Sequence, residues 1–177
     1  MPAAHPSRAE SAPVSGAGAK PRKPAVAGWF TGDEGAPALL GSRCTACGSY
    51  AFPKETYACR NPRCGSSALE ETPLSRRGRL WSYTDNRYPP PPPYVAGDPF
   101  EPYAIAAVEL EREQLVVLGQ VVRGVGVDQL QVGMEMELVL EPLYEDDEAQ
   151  YLVWKWRPLA GAPAGRTRGD GTRGGAA

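Results

Sequence analysis

The chain has 177 residues, and its 19 basic and 21 acidic residues give a net charge of −2 at neutral pH. The two ends, residues 1–27 and 161–177, carry +3 and +2, so the body between them carries −7. An acidic body argues against nucleic-acid binding, which needs a cationic face, and the lack of any apolar run of about 18 residues argues against a membrane helix.

Both ends of the chain have the composition of disordered segments. Residues 1–27 are mostly Ala, Pro, Gly, Ser and basic residues, and residues 161–177 are mostly Gly, Ala, Arg and Thr. Such segments bury too little apolar surface to offset the entropy lost on ordering. We therefore expect disordered tails around two domains, residues 28–75 and 76–160. Because no signal-like apolar region occurs near the N-terminus, we expect a cytoplasmic protein.

The segment before the first cysteine has apolar residues at both ends. Gly32, Gly35 and Pro37 lie between them and interrupt any helix longer than about two turns. We therefore expect short helical turns over residues 28–41, packed on the following domain or on a partner.

Four cysteines form two close pairs, Cys44 with Cys47 and Cys59 with Cys64, and each pair is followed by a glycine. Such turns aim two thiolates at one point, and two of them on facing hairpins complete a tetrahedral shell for Zn²⁺. Four protein ligands leave no open position, so the zinc is expected to be structural. Two disulfides in a secreted protein are the alternative, but close spacing and the missing signal region favour metal. We predict a rubredoxin-like zinc ribbon.

Five segments after the cysteines have the apolar pattern of strands. They are residues 79–85, 103–111, 115–122, 134–140 and 151–156. In the fourth, the even-numbered residues from Met134 to Leu140 share one face, and Glu135 and Glu137 share the other, which we expect to face water. No convincing helix separates the strands. The pattern predicts a mostly β protein in which the ribbon precedes a five-stranded OB-fold barrel.

A run of five prolines, residues 89–93, lies between the first two predicted strands. Prolines have no amide hydrogen to donate and favour a polyproline II conformation, so the run cannot extend the sheet and must form a stiff arm. The arm is either a partner contact or a rigid spacer across the barrel end. The candidate partner contacts are Tyr88, Pro91 and Tyr94, together with Trp81 and Tyr83.

Arg76, Arg77 and Arg79 lie next to Trp81 and Tyr83 and form a basic and aromatic cluster. Such a cluster can hold a phosphate of a nucleotide-containing ligand or stack a base. The alternative is a solvated strand start whose arginines pair with nearby acidic residues. The sequence leaves both interpretations open.

The chain has few residues suited to catalysis. Its single histidine, His5, lies in the predicted N-terminal tail, and the metal takes all four cysteines. Neither a histidine base nor a free thiolate is then available, and the chain contains no nucleophile elbow, Walker loop or dinucleotide fingerprint. We predict that the chain alone is not an enzyme.

A series of motifs in a fixed order covers about residues 28–158. They are the first cysteine knuckle, Phe52-Pro53, the second knuckle, the strand Gly78–Thr84, Pro102-Tyr103 and Val132-Gly133-Met134. Together they resemble the acyl-CoA-associated zinc-ribbon/OB-fold family, long known as a domain of unknown function. The strings at residues 81–86, 92–95, 117–120 and 154–158 are most similar to the module of the steroid side-chain enoyl-CoA hydratase, which binds a thiolase-like aldol-lyase.

The resemblance implies a partner role. A thiolase-like subunit would cleave a β-hydroxyacyl-CoA by a retro-aldol step in steroid side-chain degradation, and the present chain would support it. In the hydratase-linked version the module follows a hot-dog-fold domain, whereas residues 1–27 precede it here, and an enoyl-CoA hydratase is a second candidate partner. Two other hypotheses are acyl-CoA binding or channelling, with Arg76, Arg77 and Arg79 as phosphate contacts, and single-stranded nucleic-acid binding, which the acidic body disfavours.

Overall fold

The computed structural model describes residues 20–91 and 95–159, and within these ranges the chain is almost entirely β. The strands are β1 (Arg22–Pro24), β2 (Leu40–Cys44), β3 (Tyr50–Ala51), β4 (Leu69–Pro73), β5 (Arg77–Asn86), β6 (Tyr103–Leu110), β7 (Val116–Val121), β8 (Glu135–Glu145) and β9 (Gln150–Pro158), with one 3-10 turn at Val127–Gln129. In this described part, no helix has the length and apolar character needed to cross a membrane.

Strands β2, β3 and β4 form a small antiparallel sheet with β2 at its centre. This sheet is the body of the ribbon. Strands β5 to β9 form the second domain, in the spatial order β9-β7-β6-β5-β8, and β8 pairs again with β9 so that the barrel closes. The prediction of a zinc ribbon followed by a five-stranded OB-fold barrel is confirmed.

The barrel strands occur where the apolar alternation predicted them because each strand has one face in the core. In β8, Met136 and Leu138 are fully buried, and in β9 Trp156 is fully buried. The same core includes Leu39 from the segment before the ribbon and Leu74 from the linker between the domains. Ribbon and barrel therefore share one hydrophobic core.

An aromatic cluster joins the two domains. The Trp154 ring on β9 lies 5.9 Å from Trp29, 5.8 Å from Phe30 and 5.9 Å from Phe52 of the ribbon, measured between ring centroids. The stacked and edge-on geometries are those that aromatic pairs prefer. Trp154 also donates a hydrogen bond from Nε1 to the Leu118 carbonyl at 3.1 Å, which fixes the indole against the barrel.

The prediction of short helical turns at residues 28–41 is wrong. The segment folds back on itself, with an isolated antiparallel bridge between Phe30 and Leu39 and a hydrogen bond from the Thr31 amide to the Ala38 carbonyl at 2.9 Å. Both bridge residues are buried in the core. The bridge buries both apolar ends of the segment in the core, and the segment between them forms no helix.

The predicted N-terminal disordered tail is too long. Residues of β1 pair in parallel with β9, from Arg22 opposite Gln150 to Pro24 opposite Leu152. An ion pair between Lys20 Nζ and Glu145 Oε1, 2.7 Å apart, lies just before this strand. The open edge of β9 supplies backbone partners that cannot be seen from the composition of the tail. Residues 1–19 and 160–177 lie outside the described part.

Gly119 on β7 permits the tryptophans to pack on the barrel. A methyl group at this position would lie 2.9 Å from Trp156 Cδ1 and 3.0 Å from Trp154 Nε1. Real Cβ contacts are not this short, so any larger residue must displace an indole.

Gly119→Ala is therefore expected to lower the free energy of unfolding by about 1–3 kcal/mol through overpacking. Urea denaturation followed by tryptophan fluorescence measures this change. Gly32→Ala is the matched control, because a methyl group there would meet nothing within 4 Å. Equal stability of the two variants would contradict the proposed role of Gly119.

Candidate metal centre and partner surface

The four cysteines lie on two facing turns of the ribbon. Cys44 is the last residue of β2, opposite Leu69 of β4, and the second pair lies in the connection before β4. Each turn closes with a glycine in the left-handed region, Gly48 at φ 76° and Gly65 at φ 57°. Residues with a Cβ are strained there, which explains why a glycine follows each pair.

The four sulfur atoms converge on one point. All Sγ atoms lie within 4.8 Å of one another, with Cys44 and Cys64 3.8 Å apart and Cys47 and Cys59 3.6 Å apart. Sulfurs at about 2.3 Å from a tetrahedral zinc ion are about 3.8 Å apart, whereas a disulfide requires about 2.05 Å. All four thiols are free. The donor set and its spacing therefore fit zinc rather than two disulfides.

Neighbouring polar groups contact two of the four sulfurs. The Ser49 hydroxyl lies 3.2 Å from Cys47 Sγ, and the hydrogen bonds from the side chain and backbone of Ser49 lower the pKa of Cys47 to about 6. The Asn61 backbone amide donates to Cys59 Sγ at 3.4 Å and by itself lowers the pKa of Cys59, but burial and the neighbouring thiols raise that pKa to about 11 overall. Such contacts orient ligating sulfurs. With four protein ligands, a bound ion would have no open position for water or substrate, which is the pattern of a structural site.

Two of the three arginines of the predicted phosphate site pair with carboxylates in the structure. Arg76 pairs with Glu137 at 3.1 Å and Arg79 with Glu135 at 3.4 Å. Arg76 also donates through Nη1 to the Gly35 carbonyl at 3.1 Å. Two of the three side chains thus form ion pairs with acidic residues, as the alternative interpretation of the arginine cluster predicted. CoA contact by Arg76, Arg77 and Arg79 stays a prediction.

Glu137 is less accessible to water than its place in the alternation predicts. It lies on the outer face of β8, but only 8 % of the residue is exposed because Arg76 and Arg157 cover it. Arg157 Nη2 donates to Glu137 Oε2 at 2.7 Å. This hydrogen bond, with the charge of Arg76, lowers the pKa of Glu137.

The candidate partner contacts lie at the surface where the structure describes them. Trp81 is 61 % exposed, Tyr88 is 70 % exposed and Tyr83 is partly exposed. Pro91 is exposed at the end of the first described range. Tyr94 lies outside the described residues. Whether these residues contact a partner stays a prediction.

Two further exposed apolar residues were missed by the sequence analysis. Val116 is 45 % and Leu118 is 63 % exposed on the outer face of β7. The available signal was the unbroken apolar run from Leu115 to Leu118. A strand with one face in water should alternate apolar and polar residues, so an unbroken run indicates that both faces are apolar.

A cavity of about 430 Å³ lies between the loop before β6 and the turn after β7. The buried Lys155 lines it, and its Nζ lies 3.1 Å from Glu141 Oε2. None of the three arginines considered as phosphate contacts lines this cavity. The cavity and the arginine cluster are therefore separate features.

Comparison with known proteins gives matches over both domains. The family model described as ChsH2, rubredoxin-like zinc ribbon domain, matches residues 35–70, and that described as ChsH2, C-terminal OB-fold domain, matches residues 71–141.

Two curated relatives match most of their own length. A DUF35 domain-containing scaffold protein of Pyrococcus furiosus is 34 % identical over 123 residues, which are 68 % of this chain and 83 % of the relative. Benzoylsuccinyl-CoA thiolase subunit BbsA of Geobacter metallireducens is 34 % identical over 130 residues, 72 % of this chain and 80 % of that subunit. A solved structure, the Ltp2-ChsH2(DUF35) aldolase, matches at 30 % identity and a TM-score of 0.49, over 68 % of this chain and 84 % of that chain.

The metal site predicts one zinc per folded chain by elemental analysis. Cys47→Ser removes one thiolate and is expected to lower the bound zinc and the Tm together, because metal binding and ribbon folding are coupled. Tyr57→Ser, at a ribbon residue that is 86 % exposed, is the control and should retain both. A well-folded wild-type sample without metal would contradict the assignment.

The environment of Glu137 predicts a pH-dependent contribution to stability. A carboxyl with a lowered pKa stabilises the fold above its unfolded pKa of about 4.3, and this contribution is lost as the pH falls through the folded pKa. Glu137→Gln should therefore cost about 1–3 kcal/mol at pH 7, and its difference from wild type should shrink below about pH 4. Zinc release in acid is expected to destabilise both proteins, so the measured quantity is the difference between them at each pH.

Urea unfolding at several pH values measures this difference. Glu135→Gln is the matched control, because its ion pair with Arg79 is exposed and such pairs contribute about 0–1 kcal/mol. A pH-independent effect of Glu137→Gln would show that its charge is not responsible.

Proposed function

Since the chain belongs to the DUF35 family of zinc-ribbon and OB-fold proteins that includes ChsH2, we propose that it is a non-catalytic accessory subunit that binds and supports a thiolase-like acyl-CoA enzyme. The match to a benzoylsuccinyl-CoA thiolase subunit carries the proposal, since this chain covers 80 % of that subunit. The match covers 130 residues of this chain, which is more than either domain contains. It supports a role for the ribbon and the barrel together as a subunit of such a complex.

The side chains of this protein suit a scaffold role. Its cysteines converge on one metal site, and the only histidine of the sequence, His5, lies outside the described residues. The zinc would hold the ribbon, and the ribbon packs on the barrel through Trp154. In this division of labour the partner supplies the nucleophile and the base, while this chain supplies a rigid surface.

We also propose the reaction that the partner performs. The strings at residues 81–86 and 154–158 resemble the module that binds the steroid aldol-lyase, which favours a retro-aldol cleavage of a β-hydroxyacyl-CoA in steroid side-chain degradation. An enoyl-CoA hydratase would supply that substrate and is the second proposed partner. Unpaired thiols arranged for metal fit a reducing compartment, so we place the complex in the cytoplasm.

Acyl-CoA binding by this chain itself is the second candidate function. The cavity of about 430 Å³ favours it, because small-molecule sites commonly have volumes of about 300–1,000 Å³. The buried Lys155 lies in its lining, and a ligand oxygen there would compete with Glu141 for the ammonium group. The separation of this cavity from the arginine cluster makes the partner role the better supported of the two.

The partner role predicts stable co-purification. Co-expression of the tagged chain with each thiolase-like protein of the same genome should give a complex that survives size-exclusion chromatography, with an interface of about 1,000 Å² or more. An unrelated tagged protein is the control for non-specific capture. Failure to co-purify with every thiolase-like candidate would contradict the proposal.

Calorimetric titration of the isolated, zinc-loaded chain with a CoA thioester separates the two functions. The partner role predicts no heat of binding beyond dilution. Saturable binding, lost when Lys155 is replaced by Met, would favour the acyl-CoA function instead.

A further inference from the structure

We propose that the thiolase-like subunit docks on the outer face of strands β5, β6 and β7, with Trp81, Val116 and Leu118 at the centre of the contact. We call this surface the outer apolar face and define it by these three residues together with Ile105 and Ala107. The inference rests on the proposed function and assigns its binding surface.

An irregularity in β5 turns Trp81 toward solvent. In the β5–β6 ladder, Leu80 lies opposite Val108 and Ser82 lies opposite Ala107, so Trp81 has no partner on β6. A β-bulge of this kind redirects a side chain and occurs often next to binding sites. Trp81 is 61 % exposed as a result, which is unfavourable for so large an apolar side chain unless a partner covers it.

Small side chains lie beside these large ones. Ser82, Ala107 and Leu118 form one cross-strand row over β5, β6 and β7. Neighbours in such a row have Cβ atoms about 4.5–5.5 Å apart. Ser82 is exposed and Ala107 is 7 % exposed, so short side chains form a shallow floor beside Trp81 and Leu118, of which Ser82 is the accessible part. A shallow floor edged by large apolar residues suits an apolar side chain of a partner.

The next rows extend the same surface. Val116 lies opposite Glu109, and Gln120 lies opposite Ile105. The outward positions of β6 and β7 thus contain no lysine or arginine. OB-folds commonly bind ligands on the face of their second and third strands, which are β6 and β7 in this barrel. Nucleic-acid ligands require basic residues there, whereas a mostly apolar surface with the exposed Glu109 at one edge suits a protein partner.

The two terminal segments of this chain outside the described part are poor occupants of the face. Residues 1–19 contain Met1 and Val14 as their only large apolar residues, and residues 160–177 contain none. Such segments have little apolar surface to bury against Trp81 and Leu118. The relative of this chain that is a thiolase subunit identifies the partner as an acyl-CoA enzyme of that class. Because the body of this chain carries a charge of −7, we expect the partner to have basic residues around its own docking surface.

Leu118→Glu tests the outer apolar face, since it places a charge at the centre of the contact. The thiolase-like subunit that co-purifies with the wild-type chain is the probe, and biolayer interferometry measures the Kd. We expect a Kd at least about 100-fold higher, the size of effect seen at central interface residues. Leu118 is 63 % exposed, so the variant should keep the zinc content and Tm of wild type.

Two further variants make the result specific. Trp81→Ala should raise the Kd by about 30-fold or more by removing the second large contact. Tyr57→Glu adds the same charge as Leu118→Glu at an 86 % exposed residue of the ribbon and should leave the Kd unchanged.

The outcomes separate this inference from the function on which it rests. If the wild-type chain binds the thiolase-like subunit and Leu118→Glu binds equally well, the outer apolar face is not the docking surface, and the proposed function stands. If the wild-type chain binds no such subunit, both are wrong. If the isolated wild-type chain is a dimer by light scattering and Leu118→Glu is a monomer, the face joins two copies of this chain and the inference is overturned.

Discussion

The packing of Trp154 between the two domains is the contact on which the rest of this structure depends. Its indole lies within 6 Å of rings from the ribbon and from the segment before it, and it lies against Gly119 of the barrel. Neither domain is large enough to bury much apolar surface alone, and small domains are marginal for this reason. Zinc ribbons generally need a metal to fold, so a metal bound by the four cysteines would support the barrel through this shared core.

This arrangement connects the metal site to the proposed surface. The zinc ligands lie in the ribbon, and the outer apolar face lies on β5 to β7. Strand β7 connects the two, because Leu118 points outward and Gly119 lies against the tryptophans. The Leu118 carbonyl accepts the Trp154 hydrogen bond. A rigid β7 presents Leu118 and Val116 in a fixed position, which reduces the entropy lost on binding. A structural metal can in this way contribute to recognition without contacting the partner.

Much of the fold was predictable because the local patterns agreed with the tertiary structure. Each of the five barrel strands contributes apolar residues to the shared core, and the predicted bounds differ from the observed bounds by a few residues at each end, except in β8, which continues five residues beyond Leu140. The segment at residues 28–41 was mispredicted because its apolar ends meet across the Phe30–Leu39 bridge, a pairing that has no local signal. Strand β1 was missed because its backbone partner is the open edge of β9, which is distant in sequence.

The sequence by itself determined the metal ligands, the order of the two domains and the strands of the barrel, because cysteine spacing and period-two alternation are local properties of the chain. Only the tertiary structure decided which arginines were paired with carboxylates, that Glu137 was covered, and that Trp81, Val116 and Leu118 lie on one side of the barrel. These facts depend on strand register and on a bulge at Trp81. Register is set by packing among residues that are distant in sequence, so it cannot be read from any one segment.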